Sequence, residues 1–317
     1  MGEKTKVINP GPAHSPVLVD GVLSCLEVAF RCQPEGWLVD GTLGAGGHTA
    51  SILEQFPGAR VLGCDQDPQM QVIAQERLAP FGERVAFAHA RFSELSEILR
   101  DDADFPAPFD GLPIGMLFDV GVASPHLDLP ERGFSFQADG PLDMRMDVRR
   151  EVTAADIINL WPEVELANLF YEEGGERRSR AIAKLLVQVR RRGAIMRTRT
   201  LADLIASVVG GGGKIHPATR VFQALRRAVN EEGPELEAAL LAGQDFLPDG
   251  GVLAVISFHS GEDRVVKQWL AKEIAAGNFE KITKKPIQAS HQETRSNPRA
   301  RSAKLRAAVR RRVGGVL

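Results

Sequence analysis

The chain has 317 residues, 44% of them hydrophobic and 25% charged, a composition able to build a substantial core. Lysine and arginine number 39 against 41 acids, and the net charge of -2 excludes a uniformly basic nucleic-acid binder while leaving room for local basic patches. No run approaches the roughly 20 apolar residues of a membrane helix. Met1 to Ser15 lack the apolar stretch of a signal peptide, and Lys6 breaks a myristoylation pattern. Cys25, Cys32 and Cys64 form no CxxC pair, and the histidines show no metal-binding spacing. A reduced, cytoplasmic protein with no bound metal and no membrane association is expected.

In chain order, Trp37–Val39 reads as a buried strand ending at Asp40. A helix follows with Ala50, Ile52, Leu53 and Phe56 on one face. Arg60–Cys64 is a second strand, ending at Asp65. Asp67 then caps a helix that has Pro68 at its first position and Ile73, Ala74 and Leu78 on its buried face. Val85–His89 and Ile114–Phe118 are the third and fourth strands, the latter ending at Asp119. Strand and helix alternating at this spacing predict a parallel sheet with crossover helices. From Asp128 to about Ile215 only helical periodicity is found. The four glycines 210–213 read as a connection, and Pro217 opens a helix whose apolar face is Val221, Phe222, Leu225 and Val229. Val252–Ile256 is again a buried strand. The expected fold is an α/β domain with a mainly parallel twisted sheet, interrupted by an all-helical insertion. Its parts are 1–127, the insertion 128–215, and 216–317 with a basic C-terminal segment.

The first strand runs into Asp40-Gly41-Thr42-Leu43-Gly44-Ala45-Gly46-Gly47-His48. Glycines at such a turn let a ligand approach the backbone closely, but Thr49 stands where a dinucleotide fingerprint needs its third glycine, and no P-loop lysine follows. Instead, strands one, two and four end in Asp40, Asp65 and Asp119. Ligands of open parallel sheets lie beyond these strand ends. A carboxylate-lined crevice suits a sulfonium, an amine and ribose hydroxyls better than pyrophosphate, so S-adenosylmethionine is the expected cofactor and a nicotinamide enzyme the rival. Asp65 is placed for the ribose, Phe92 for the adenine and Asp119 for the methionine end.

Longer motifs then stand out. They are His14-Ser15-Pro16-Val17-Leu18, Asp65-Gln66-Asp67-Pro68, Asp119 through Pro125, Arg132 through Phe136, and Gly140 through Asp147. Further on come His216-Pro217-Ala218-Thr219-Arg220, Ser257-Phe258-His259-Ser260 with Glu262-Asp263-Arg264, and Asn297 through Ser302. Over almost the whole chain these resemble the methyltransferase H family of small-subunit ribosomal RNA, the MraW family. That resemblance implies a Rossmann-like class I methyltransferase fold. It implies methyl transfer from S-adenosylmethionine to the N4 amino group of a cytosine in the decoding region of 16S ribosomal RNA, within the small ribosomal subunit. It also implies cofactor contacts at Gly46, Gly47, His48, Asp65, Phe92 and Asp119, and one at His126, where the family carries glutamine. Ala123 stands where the family has serine.

Asp119 and nearby backbone carbonyls are the candidate catalytic acceptors for the amino hydrogens, and no general base is assigned. The target base must leave its stack to reach such a crevice. Phe134, Phe136, Phe258 and His259 are candidate partners for it, with core packing the alternative for the phenylalanines. Ser260-Gly261-Glu262-Asp263 reads as a helix capping box. Asp143, Arg145 and Asp147 form either an ion-pair loop or a lid. Eleven basic residues lie between Lys281 and Arg312, and a second cluster runs from Arg177 to Arg199, with Arg220, Arg226 and Arg227 beside it. Both are candidate RNA faces whose binding salt would weaken. Methylation of another RNA or of DNA, and a non-catalytic assembly factor, remain open alternatives.

Overall fold

The structure, a computed structural model, describes residues 16–100, 111–121, 124–210 and 215–311. His14, Ser15, Val122, Ala123 and the glycines 211–213 therefore lie outside the described residues. Two compact units are resolved, Met1–Gly121 with Leu236–Leu317, and Val122–Glu235.

The first unit runs α1 (Val19–Cys32), β1 (Trp37–Asp40), α2 (Gly47–Gln55), β2 (Arg60–Asp65), α3 (Pro68–Leu78), β3 (Val85–His89), α4 (Leu95–Ile98) and β4 (Gly115–Asp119). The sheet order is 3-2-1-4-5-8-6, where β5 is Val252–Ser257, β6 Phe279–Lys281 and β8 Lys304–Arg310, and the short β7 (Ile287–Gln288) pairs with β8 off this path. Strands 1 to 5 pair in parallel, while β8 runs antiparallel between β5 and β6. Alternate side chains of each strand go to opposite layers, as the pleat requires. Leu38, Val61 and Leu117 pack with α1 and α2 through Leu26, Phe30 and Ile52. Val39, Leu62 and Phe118 pack on the other face with Leu236, Leu240, Val266 and Leu270. Both faces are covered, which is why these strands read as unbroken apolar runs.

Details of the expected helices hold or shift for local reasons. Asp67 caps α3, its carboxylate accepting from Gln69 N at 2.9 Å. The buried face of α3 is Met70, Ala74 and Leu78, with Ile73 only half-buried. The box before α12 (Ser260–Ala275) is shifted by one residue. His259, not Ser260, is the cap: its Nδ1 accepts from Gly261 N and Glu262 N, while Glu262 accepts from Phe258 N and His259 N. Asp263 instead grips β8, accepting from Lys304 Nζ at 3.0 Å and Arg306 Nε at 2.8 Å. Burial opposes its ionisation, but these two hydrogen-bonded cations hold its carboxyl below the usual range. Such a group stabilises the fold above its unfolded pKa, and that contribution is lost as pH falls through the lower folded value. Asp263→Asn should therefore destabilise the protein by about 1–2 kcal/mol at neutral pH. Urea titrations of the two proteins should converge below roughly pH 3.

The second unit contains α5 (Ser124–Asp128), α6 (Ala154–Leu160), α7 (Glu163–Glu172), α8 (Ser179–Arg190), α9 (Thr198–Val209) and α10 (Thr219–Val229). Its core joins Leu166, Phe170, Ile182, Leu186, Leu201 and Ile205. The unit ends at Glu235 rather than at the expected 215. The helix opened by Pro217 does carry the apolar stripe Val221, Phe222, Leu225 and Val229, but that stripe completes the helical core, packing on α6 and α7. The loop 140–150 is tied inward. Asp143 holds Arg145 through paired contacts of 2.8 Å. Buried Asn230 donates to Met144 O and accepts from Met146 N, each at 2.8 Å.

Candidate active site at the strand ends

The turn from β1 into α2 is built by its glycines. A Cβ on Gly41 would lie 2.4 Å from the Phe118 ring, and Gly46 has φ +74 at the position that starts α2. Asp40 is fully buried. Its carboxylate accepts from Thr42 N at 3.2 Å and from Thr49 Oγ1 at 2.7 Å, locking the turn to the helix. The expectation of three crevice carboxylates is thus corrected to two, Asp65 and Asp119, because Asp40 serves the loop itself.

Asp65 also orders backbone. Its Oδ2 accepts from Gly44 N at 2.7 Å and its Oδ1 from Asp67 N at 2.8 Å. A carboxylate oxygen can accept more than one hydrogen bond, so ordering backbone is compatible with meeting a ligand hydroxyl. Phe92 stands edge-on to Phe118 at 5.2 Å and is half-buried. Asp119 is anchored through its backbone, whose N–H donates to Thr42 Oγ1 at 2.6 Å. Across from its side chain, His48 Nε2 lies 3.4 Å from Asp119 Oδ2, an ionic contact without the alignment of a full hydrogen bond. Burial pushes the His48 imidazole down, but the close Asp119 carboxylate, with Asp40 behind, pushes it further up, so its pKa stands above the ordinary value.

Several polar groups here lack full partners among the described residues. They are both ring nitrogens of His48 and Oδ1 of Asp119, all buried atoms. The α2 N-terminus likewise has no side-chain cap. Buried polar atoms left unsatisfied are costly, and each calls for a partner such as a ligand or an ordered water. Donors at a helix start beside two carboxylates fit a zwitterionic ligand carrying its own carboxylate, ammonium and hydroxyls. One neighbour escaped the sequence reading. Arg77, in the last turn of α3, donates to Ala45 O at 3.1 Å and braces the glycine turn. Only the general tendency of cations to seek carbonyls at element ends would have suggested it.

His126 belongs to the helical unit, where it is buried and its ring stacks on Phe134 at 5.0 Å. Phe134 is core, whereas Phe136 is half-buried. Phe258 packs partly into the sheet core, and His259 is occupied as the α12 cap with Glu262. The basic clusters are also thinned by the fold. Lys304 and Arg306 hold Asp263, Arg310 donates to Asn278 O, and Arg311 pairs with Glu280. In the helical unit Arg197, Arg226 and Arg227 pair with Asp139, Glu232 and Glu173. In the helical unit a row along α8 and just beyond its ends stays exposed, Arg177, Arg180, Lys184, Gln188 and Arg191, with Arg192 beside it, and the C-terminal segment keeps Lys281, Lys284, Lys285, Arg295, Arg299 and Arg301 exposed. The cations among them have no carboxylate partner among the described residues. The positions of the α8 row recur every three or four residues, opposite the buried Ile182, Ala183 and Leu186, and all but Gln188 carry a cation.

A family model described as the MraW methylase family matches residues 12–311. The chain belongs to that family. Three relatives carry the name Ribosomal RNA small subunit methyltransferase H. The protein of Sorangium cellulosum is 49% identical, with 96% of this chain and 92% of that one covered. That of Methylobacterium nodulans is 45% identical, covering 94% and 91%. That of Synechococcus sp. strain CC9605 is 45% identical, covering 95% and 98%. The parallel strand order 3-2-1-4-5 is Rossmann-like, and the glycine turn, Asp65 and Asp119 all lie in the unit that holds this sheet. No helix among the described residues is long and apolar enough to cross a membrane.

Proposed function

We propose that this MraW methylase methylates the exocyclic N4 of a cytosine in the decoding region of 16S ribosomal RNA, acting on the small subunit in the cytoplasm. The methyl donor is S-adenosylmethionine, which supplies an electrophilic methyl on a sulfonium. What carries the substrate assignment is the family match over 12–311 together with relatives at 45–49% identity named for small-subunit ribosomal RNA.

In this reading the amides of Gly47 and His48 take the donor's carboxylate, Gly46, whose own N–H donates to Leu43 O at 2.8 Å, gives the ligand close approach to the backbone, and Asp65 takes its ribose hydroxyls. Phe92 flanks the adenine. Asp119 faces the methionine end and the incoming base. His126 adds a contact whose support is the resemblance alone. A cytosine amino nitrogen is a weak nucleophile because its lone pair is delocalised into the ring. Asp119 accepts one amino hydrogen, returning electron density to nitrogen as the new bond forms, and His48 orients that carboxylate. The product nitrogen is more acidic than the substrate's and loses its proton to water, so no side chain need act as base.

Methylation at ring carbon C5 would require a thiolate to attack the neighbouring carbon. Cys64, beside Asp65, is buried. Desolvation, and then the charges of Asp40 and Asp65, hold its thiol well above the ordinary range, so it cannot serve. Cys25 is likewise buried, its thiol pushed up to about 11. The exposed cations of the α8 row and of the C-terminal segment supply positive charge for a phosphate backbone. The test is to incubate the protein with isotopically labelled S-adenosylmethionine and small subunits lacking the modification, then digest the RNA to nucleosides. N4-methylcytidine is expected; 5-methylcytidine, or label in another nucleoside, would refute the assignment.

A further inference from the structure

The motif His216-Pro217-Ala218-Thr219-Arg220 finds no part in the chemistry above. His216 is exposed, and its ring lies against half-buried Phe136 at 4.5 Å with a 34° tilt. Phe136 is braced from below by the edge of buried Phe222, 4.9 Å away at 75°. The imidazole is held in place from its own backbone: Nδ1 accepts from Ala218 N at 3.2 Å, which leaves Nε2 to carry the proton in the neutral ring. A cation stands close by, since Arg199 Nη2 donates to the carbonyl of Gln137, the residue after Phe136. Two rings, one buttressed and one exposed, are thus fixed side by side on the helical unit beside a guanidinium.

We propose that the Phe136–His216 pair is a stacking site for one unpaired base of the RNA, with Arg199 meeting the adjoining phosphate. This rests on the reading that the substrate is RNA. Ring packing in a core explains Phe222 and the inner face of Phe136. It does not explain an exposed histidine ring held against Phe136 by its own hydrogen bond to Ala218 N. A base laid on that ring meets an aromatic face already fixed in place, at little ordering cost, and a flat aromatic surface next to a cation is the recurrent chemistry of single-strand binding.

The test separates the ring from its cap. His216→Asn keeps an acceptor for Ala218 N and removes the aromatic face; His216→Phe does the converse. Affinity is measured by fluorescence anisotropy for a single-stranded oligouridine and for the same oligomer with abasic sites. Wild type and His216→Phe should bind the base-bearing oligomer about tenfold more tightly than His216→Asn. The three proteins should not differ on the abasic oligomer. Methylation of unmodified small subunits should show the same order in KM for the subunit, with KM for S-adenosylmethionine unchanged. Equal affinity of wild type and His216→Asn for the oligouridine would overturn the stacking site while leaving RNA methylation standing. Failure of the wild type both to bind the oligomer and to methylate subunits would overturn both.

Discussion

Asp119→Ala is expected to lower methyl transfer by roughly a hundred- to a thousandfold, the loss typical when a group stabilising developing charge is removed. The fold should not suffer. Asp119 ends β4, its side chain is 22% exposed, and its anchor to Thr42 runs through the backbone, which alanine preserves. Unfolding free energy should stay within about 1 kcal/mol of wild type. A second readout is independent of turnover. His48 owes its raised pKa first to Asp119, against the downward pull of burial, so in the variant its imidazole should titrate at lower pH by NMR. Near-normal turnover would remove Asp119 from the mechanism, and an unmoved His48 titration would deny the pairing.

Gly140→Ala should be among the most damaging single substitutions in the helical unit. A Cβ there would sit 1.8 Å from the carbonyl oxygen of Pro130, which is backbone and cannot swing aside. The strand-like pairing around Gly140 is also tight. Its N–H donates to Thr198 Oγ1 at 2.9 Å, and its carbonyl accepts from Thr198 N at 3.0 Å. Relief requires displacing both partners of a buried turn, at about 3 kcal/mol or more. Denaturant titration followed by circular dichroism should show the midpoint falling accordingly. A change below about 0.5 kcal/mol would mean the turn is far looser than its geometry states. Serine should fare no better, because the obstacle is the first side-chain atom.

Much of the sheet was legible because buried parallel strands are short apolar runs, three of which stop at an acid, Asp40, Asp65 and Asp119. The capped start of α3 was legible because aspartate before proline has one common meaning. Other features were hidden for identifiable reasons. β8 reads Lys304-Leu305-Arg306-Ala307-Ala308-Val309-Arg310, and its charges suggested a binding tail. Only the contact with Asp263 shows that two of those charges serve to hold the strand in the sheet. The α12 cap was misplaced by one residue because serine is a commoner cap than histidine, and the imidazole Nδ1 performs the same task. The insertion's end was set too early because a new helix after Pro217 looked like a return to the α/β pattern; which core an amphipathic helix joins is a tertiary fact. At the site, the identities of Asp40, Asp65 and Asp119 were plain, but not that Asp40 turns inward to Thr42 and Thr49.

The central claim is that the glycine turn, Asp65 and Asp119 form one site for a sulfonium cofactor. Isothermal titration of S-adenosylmethionine into the wild type and into Asp65→Ala tests it most directly. The account predicts one binding event per chain, at least tenfold weaker in the variant, and no heat from NAD. Absence of binding to the wild type, equal affinity in Asp65→Ala, or binding of NAD in its place would contradict it.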